Sequence, residues 1–114
     1  MRDFYIEQVA GVLIVYVRKE VDHHLARQIR QQVDLLIDQG GVRHLVMDFH
    51  GVNFMDSSGI GMIMGRYKKL KFFGGKLTVS GVNPEVERIF SMSGLYTLVP
   101  KYKDVEAAIA NIQK

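Results

Sequence analysis

Hydrophobic residues follow either a strand-like or a helix-like spacing along the chain, and each change of spacing marks the start of a predicted element. Residues 4–9 and 12–17 are β-rich runs separated by Ala10-Gly11, where glycine can adopt the positive φ of a tight turn. The sequence therefore predicts an N-terminal hairpin. Its second strand is apolar throughout, which is typical of a strand covered on both faces, whereas the more mixed first strand suits a sheet edge.

An apolar spacing of four and three residues follows the hairpin and predicts a helix. Asp22 stands at the position of an N-cap, and Gly40-Gly41 ends the pattern because glycine tolerates the left-handed conformation that follows a helix. The predicted buried face consists of Leu25, Ile29, Val33, Leu36 and Ile37.

The middle of the chain joins a predicted strand, residues 45–49, to a predicted helix over residues 57–73. Gly61 and Gly65 would each cost this helix about 1 kcal/mol relative to alanine. We therefore expect them to allow close approach to the sheet or to a partner. The predicted apolar stripe comprises Ile60, Ile63, Met64, Tyr67 and Leu70, and Arg66, Lys68 and Lys69 lie off it.

The alternation of strands and helices continues to the C-terminus. A strand over residues 76–81 precedes a helix capped by Asn83, and a strand over residues 97–99 precedes a helix capped by Asp104. The order β-β-α-β-α-β-α-β-α predicts an α/β fold with parallel strands, right-handed helical crossovers and one antiparallel hairpin. With 114 residues and no linker, we predict one domain over residues 1–114.

Composition restricts the chemistry that the chain can perform. The hydrophobic fraction of 47% and charged fraction of 24% are those of a soluble globular protein. The absence of cysteine excludes disulfides, thiolate metal sites and cysteine nucleophiles. Residues 1–4 lack the layout of a secretion signal and residues 12–17 are too few to cross a bilayer, so we predict a cytoplasmic protein that is not membrane-bound.

The net charge of +3 is mildly basic, and five cationic residues crowd one region. Such a cluster can meet nucleic acid, but no aromatic-rich nucleic-acid motif accompanies it. We interpret it as a solvated helix face and predict no direct binding to nucleic acid. The cluster comprises Arg66, Lys68, Lys69, Lys71 and Lys76.

Candidate chemistry is concentrated at the start of the middle helix, in Asp56, Ser57 and Ser58. Side-chain oxygens of these residue types accept hydrogen bonds from the unpaired N–H groups of a first helical turn. The same N–H groups favour negative charge, including a phosphate on one of the serines. The pattern leaves two interpretations open: a helix cap only, or a hydroxyl that another enzyme phosphorylates.

The known patterns of serine catalysis are absent from this stretch. A nucleophile elbow needs glycine two places before the serine, where Met55 and Asp56 stand, and no lysine follows either serine at three places. The four histidines have no recognisable orienting motif, and the neighbours His23 and His24 point in different directions. We therefore predict no catalytic residue, no metal site and no bound cofactor.

Four ordered sequence blocks extend over the chain: Asp22-His23-His24, Asp56-Ser57-Ser58-Gly59, Gly65-Arg66-Tyr67-Lys68 and Phe90-Ser91-Met92-Ser93-Gly94-Leu95. Together they resemble the sporulation branch of the anti-sigma factor antagonists in the STAS family. The resemblance covers nearly the whole chain and implies an α/β sheet whose strands follow one another in sequence order. One departure is Val21, where leucine is more usual.

This resemblance implies a protein that functions by binding. Its unphosphorylated form would capture an anti-sigma factor that is also a serine kinase, using ATP or ADP with Mg²⁺, and so free the sigma factor. Phosphorylation of Ser57 would end capture until a manganese-dependent phosphatase of the protein phosphatase 2C type reverses it. The implied partner-binding residues are Asp22, His23, Asp56, Ser57, Ser58 and Gly59.

Two alternatives to the sporulation branch remain open. One is a STAS module of another partner-switching pathway, such as a stress response, with the same fold and a different kinase. The other is a small enzyme that uses Asp56 and Ser57. Turnover of a substrate without any partner would favour the enzyme.

Overall fold

A five-stranded mixed sheet forms the centre of the computed structural model, which describes residues 2–112. The strands lie in sequence order, β1 runs antiparallel to β2, and the other neighbours are parallel, which confirms the predicted α/β architecture. The strands are β1 (Phe4–Val9), β2 (Val12–Val17), β3 (His44–Asp48), β4 (Leu77–Ser80) and β5 (Lys101–Tyr102). The helices are α1 (His23–Asp38), α2 (Ser57–Phe72), α3 (Pro84–Ser93) and α4 (Val105–Ile112).

The N-terminal hairpin forms as predicted. Ala10 and Gly11 have φ values of 48° and 81°, the left-handed geometry that matches the twist of two antiparallel strands. β2 is almost wholly buried between β1 and β3, whereas β1 pairs only with β2 and stays largely exposed at the sheet edge.

Alternate side chains of the strands enter two separate cores, because successive residues of a strand point to opposite faces of the sheet. The larger core lies beneath α1, α2 and α3 and takes Leu13, Val15 and Val17 from β2. The smaller core lies beneath α4 and takes Val12 and Ile14 from the same strand. Coverage of both faces explains why β2 has no polar alternation.

Helices α1, α3 and α4 each begin directly after the residue predicted to cap them, and α2 begins after Asp56, one of the three candidates for its cap. Asp22, Asp56, Asn83 and Asp104 accept a hydrogen bond from a backbone N–H of the first turn, at distances of 2.8 to 3.2 Å. These bonds satisfy donors that the helix itself leaves unpaired, so the start of each helix is encoded locally.

The predicted strand over residues 97–99 is wrong. Residues Leu95–Thr97 form a single 3-10 turn after Gly94, which has a φ of 78°. Thr97 N donates to Gly94 O at 3.1 Å and Val99 N donates to Leu95 O at 2.9 Å, so these backbone groups are satisfied within the turn. Pairing with β4 starts only at Pro100, whose carbonyl accepts from Val79 N at 3.1 Å.

The predicted position of Arg66 off the buried face of α2 is also wrong. Arg66 is only 8% exposed, and Met62, which the predicted stripe omits, is buried beside it. α2 packs against α1 as well as against the sheet, so its buried face is wider than a single stripe. Of the predicted basic cluster, Lys68, Lys71 and Lys76 are exposed.

Candidate functional site

The N-termini of α1 and α2 lie side by side at the carboxyl ends of β2 and β3. A short parallel bridge joins Val21 to Met55, in the segments that lead into the two helices. Val21 N donates to Phe54 O at 3.1 Å, and Asp56 N donates to Val21 O at 3.1 Å. This pairing places the caps of the two helices next to each other, although they are far apart in sequence.

Ser57 is the first residue of α2, and its side chain is exposed to solvent. Asp56 Oδ1 accepts from Ser58 N at 2.8 Å, so the cap engages the backbone of the following residue. Within residues 2–112 no hydrogen bond involves the Ser57 hydroxyl. The hydroxyl is therefore accessible to another enzyme and is not needed to hold the helix.

Ser58 is half-buried, and its Oγ lies 3.5 Å from His23 Nδ1. That distance is the long limit of a hydrogen bond. No carboxylate of the described chain forms an ion pair with His23 and orients its ring, as the base of a serine nucleophile requires. The contact connects the starts of the two helices.

Asp22 is exposed, and its carboxylate is held in the charged form. The hydrogen bond from Leu25 N lowers the pKa of Asp22 below its usual value, a direction that His24 and Lys19 reinforce. The site thus presents a carboxylate at the start of α1 and a hydroxyl at the start of α2.

Among the glycines of α2, Gly59 is the one whose lack of a side chain is explained by packing. A Cβ at this position would lie 2.2 Å from Met55 Cγ and 3.1 Å from Val21 Cγ1, both in buried side chains. Gly59 therefore lets α2 begin directly against the bridge. Val21, the one departure from the family pattern, fills the space beside it.

Gly61 and Gly65 do not make the predicted close approach to the sheet. A Cβ at either position would meet no atom within 4 Å. The close contact is made at Gly59 instead, because the bridge lies beneath the first turn of α2. Packing within the described chain therefore leaves both glycines unexplained, and access for a partner stays a prediction.

A groove of about 430 Å³ separates the N-terminal halves of α1 and α2. Three arginines from the two helices, Arg27, Arg30 and Arg66, contribute to its lining. No local sequence pattern identifies this set, because only the packing of α1 on α2 brings the three arginines together. The remaining lining residues are His23, Ala26, Ser58, Gly61 and Met62.

The charges of this groove are only partly balanced. Arg66 Nε lies 2.9 Å from Asp34 Oδ1 as an ion pair without hydrogen-bond geometry, and Arg66 Nη1 donates to Met62 O at 3.2 Å. Burial lowers the pKa of Arg66, Asp34 opposes that shift, and the nearby charge of Arg30 adds to it. Arg27 and Arg30 are exposed and form no ion pair with any residue in the described part of the chain.

Residues 2–112 contain neither a cluster of metal ligands nor a helix suited to span a membrane. No three His, Cys, Asp or Glu side chains in that range come close enough together to hold a metal ion. None of the helices in the same range combines the length and the apolar character that a membrane span requires.

Known proteins resemble this chain in both sequence and structure. Residues 3–108 match the family model described as the STAS domain. The anti-sigma F factor antagonist of Paenibacillus polymyxa is 40% identical over 108 residues, which cover 95% of this chain and 92% of that protein. The structure of SpoIIAA in its unphosphorylated form matches with a TM-score of 0.87 and 31% identity, over 96% of both chains. The phosphorylated form of the Bacillus protein matches with a TM-score of 0.76 and 30% identity, over 94% of this chain and 97% of that one.

Proposed function

Because the chain belongs to the STAS domain family, we propose that it is an anti-sigma factor antagonist, which acts by binding and not as an enzyme. Its unphosphorylated form captures an anti-sigma factor that is also a serine kinase, and thereby frees the sigma factor. The kinase supplies ATP and Mg²⁺, and the antagonist needs no cofactor of its own. Phosphorylation of Ser57 switches capture off, and a cytoplasmic phosphatase of the protein phosphatase 2C type restores it.

The observation that carries this proposal is the exposed, uncommitted hydroxyl of Ser57 at the first turn of α2. A kinase active site can reach it, and a phosphate placed there meets the positive end of the helix dipole. Ser58 is the poorer acceptor because it is half-buried and its Oγ faces His23.

The switch acts on the interface more than on the fold. A phosphate adds about −1.5 to −2 charge, which a helix N-terminus can accommodate. In support, this chain matches SpoIIAA in both its unphosphorylated and phosphorylated forms. At the centre of an interface the same dianion must be desolvated, and a penalty of about 3 kcal/mol already weakens binding more than a hundredfold.

The residues around Ser57 have supporting roles in this proposal. Asp22 and His23 contact the anti-sigma factor from the start of α1, since the bridge holds them beside the start of α2. Asp56 caps α2 and fixes the serine backbone, and Gly59 allows the helix to begin there. Partner contact therefore extends over both helix starts.

Phosphate transfer tests the site directly. The parent chain, Ser57→Ala and Ser58→Ala are each incubated with the anti-sigma F factor of Paenibacillus polymyxa and Mg-ATP, and the mass of each product is measured. We expect one phosphate on the parent and on Ser58→Ala, and none on Ser57→Ala. Equal phosphate uptake by Ser57→Ala would show that Ser57 is not the acceptor.

A pull-down from the source cell, with and without ADP, separates the proposed pathway from the alternatives. Recovery of a sporulation anti-sigma factor supports the proposal, whereas recovery of a different kinase would place the chain in another partner-switching pathway.

A further inference from the structure

We propose that the groove between α1 and α2 is a docking site for an acidic segment of the anti-sigma factor, whose carboxylates pair with Arg27 and Arg30. This inference rests on the proposed function, because it assigns a further part of the surface to the same partner. Three features of the groove support it: its charge, its open glycine and its position.

The charge of the groove favours an anion. Asp34 is the carboxylate beside Arg66, and it also lies 3.8 Å from Lys69 Nζ, so its charge is shared by two cations. Arg27 and Arg30 lie three residues apart on α1, point into the same groove and have no ion-pair partner within residues 2–112. The charge of Arg30 also lowers the pKa of Arg66, so the guanidinium groups disfavour one another. Carboxylates from outside would relieve that repulsion, and guanidinium groups bind carboxylates with two parallel hydrogen bonds.

The open glycine on the groove wall leaves room for another molecule to approach the backbone of α2. Gly61 lines the groove, yet a Cβ there would meet no atom of this chain within 4 Å. Alanine would favour the helix, and nothing in the packing forbids it. A side chain of a docked segment that approaches the α2 backbone would explain why this position lacks a side chain.

The position of the groove makes it continuous with the proposed interface. It opens at Ser58 and His23, and Ser58 follows the proposed phosphorylation site directly. An anti-sigma factor that covers Ser57 therefore reaches Arg27 one turn along α1.

Charge reversal provides the first test. The double variant Arg27→Glu/Arg30→Glu and the parent are titrated against the anti-sigma F factor of Paenibacillus polymyxa with Mg-ADP, and association rates are measured over a range of NaCl concentrations. The introduced glutamates would repel an acidic segment of the anti-sigma factor. The double variant should therefore bind at least about tenfold more weakly, mainly through slower association, and its association rate should lose most of its salt dependence. The matched control Arg88→Glu/Lys103→Glu changes the net charge equally at exposed positions outside the groove and should bind as the parent does.

The two open glycines provide the second test. Gly61→Ala and Gly65→Ala should both raise the melting temperature, because alanine favours the helix and a Cβ at either position has free space. Gly61→Ala should nevertheless weaken capture about tenfold, since a methyl group added to a packed contact is costly. Gly65→Ala, which lies outside the groove, should bind as the parent does.

The outcomes separate this inference from the proposed function. A parent chain that neither binds the anti-sigma factor nor takes phosphate from it contradicts both. A parent chain that binds, together with folded Arg27→Glu/Arg30→Glu and Gly61→Ala variants of unchanged affinity, overturns the groove inference and leaves the proposed function intact.

Discussion

Ser57 and Gly59 are two positions apart at the start of α2, and they have opposite relations to the rest of the molecule. Ser57 is exposed and makes no side-chain hydrogen bond within residues 2–112, whereas Gly59 is buried against Met55 and Val21. One residue is therefore free to be modified, and the other fixes where the helix begins. The sequence pattern indicates a helix start at both, but it does not distinguish these two roles.

Gly59→Ala should destabilise the protein by about 1–3 kcal/mol, because the added methyl displaces the buried side chain of Met55. Gly65→Ala should instead stabilise it by up to about 1 kcal/mol through helix propensity. Urea unfolding of both variants measures the difference. A Gly59→Ala variant as stable as the parent would show that Met55 moves aside at little cost.

His44 should make the stability of the fold depend on pH. Its ring is buried, and Nδ1 accepts a hydrogen bond from Lys76 N at 3.0 Å, which only the neutral ring can do. Burial, with the charges of Arg43 and Lys76, lowers the pKa of His44 below its ordinary value of 6.5. Its contribution is therefore fully present above pH 6.5 and is lost as the pH falls from there through the lowered pKa.

Urea unfolding above and below pH 6.5 should show this loss, and NMR titration of the His44 ring should show the lowered pKa. His44→Asn is the matched variant, since its amide oxygen can accept from Lys76 N but does not titrate. It should remove that part of the pH dependence, and an unchanged pH profile would contradict the assignment.

At the level of elements, α1 and α2 are held together by a partly buried ion pair. Arg66 of α2 contacts Asp34 of α1 at 2.9 Å, and Lys69 contacts Asp38 at 2.8 Å one turn further along. The bridge between Val21 and Met55 holds the N-terminal ends of the two helices together. The two helix starts and the groove between them therefore have a fixed geometry. The relative position of these helices is the basis of the proposed binding surface.

Asp34→Asn should destabilise the protein by about 1–3 kcal/mol, since it leaves the buried guanidinium of Arg66 without a charged partner. Asp38→Asn is the control, because Asp38 is 63% exposed and exposed pairs contribute only about 0.2–1 kcal/mol. Chemical denaturation at low salt measures both. Equal effects would show that the inner pair contributes no more than the outer one.

At the level of the whole molecule, the proposed switch needs a fold that stays the same while one surface changes its charge. The sheet and its two cores lie behind the starts of α1 and α2, and Ser57 is not part of either core. A charge added there changes what the surface can bind and leaves the packing beneath it in place.

Ser57→Asp should therefore keep the circular dichroism spectrum and the unfolding midpoint close to those of the parent, and should bind the anti-sigma factor at least about a hundredfold more weakly. Isothermal titration with ADP-bound anti-sigma factor measures the affinity. Gln32→Glu, which adds one negative charge at an exposed position of α1 outside the groove, serves as the control that retains binding. Unimpaired capture by Ser57→Asp would contradict the electrostatic account of the switch.

The sequence by itself determined the order of the elements, their parallel pairing and three of the helix caps, Asp22, Asn83 and Asp104, and it limited the cap of α2 to three residues. It also contained the blocks that resemble the STAS family. The match of residues 3–108 to the STAS domain model and the 40% identical relative confirm that the chain belongs to this family. These features depend on residues close together in the chain: a capping oxygen and the N–H it accepts from, or an apolar repeat and its turn. Neighbouring residues suffice to encode them.

Only the tertiary structure decided which polar and small residues face another element. Arg66 is buried because α1 lies across α2, and Gly59 rather than Gly61 or Gly65 is crowded because the bridge lies beneath it. Residues 97–99 do not form the predicted strand, because the carbonyls of Gly94 and Leu95 accept hydrogen bonds from the backbone N–H groups of Thr97 and Val99. Arg27, Arg30 and Arg66 line one groove because α1 packs against α2, and the distances between residues of two different helices cannot be inferred from a local sequence pattern.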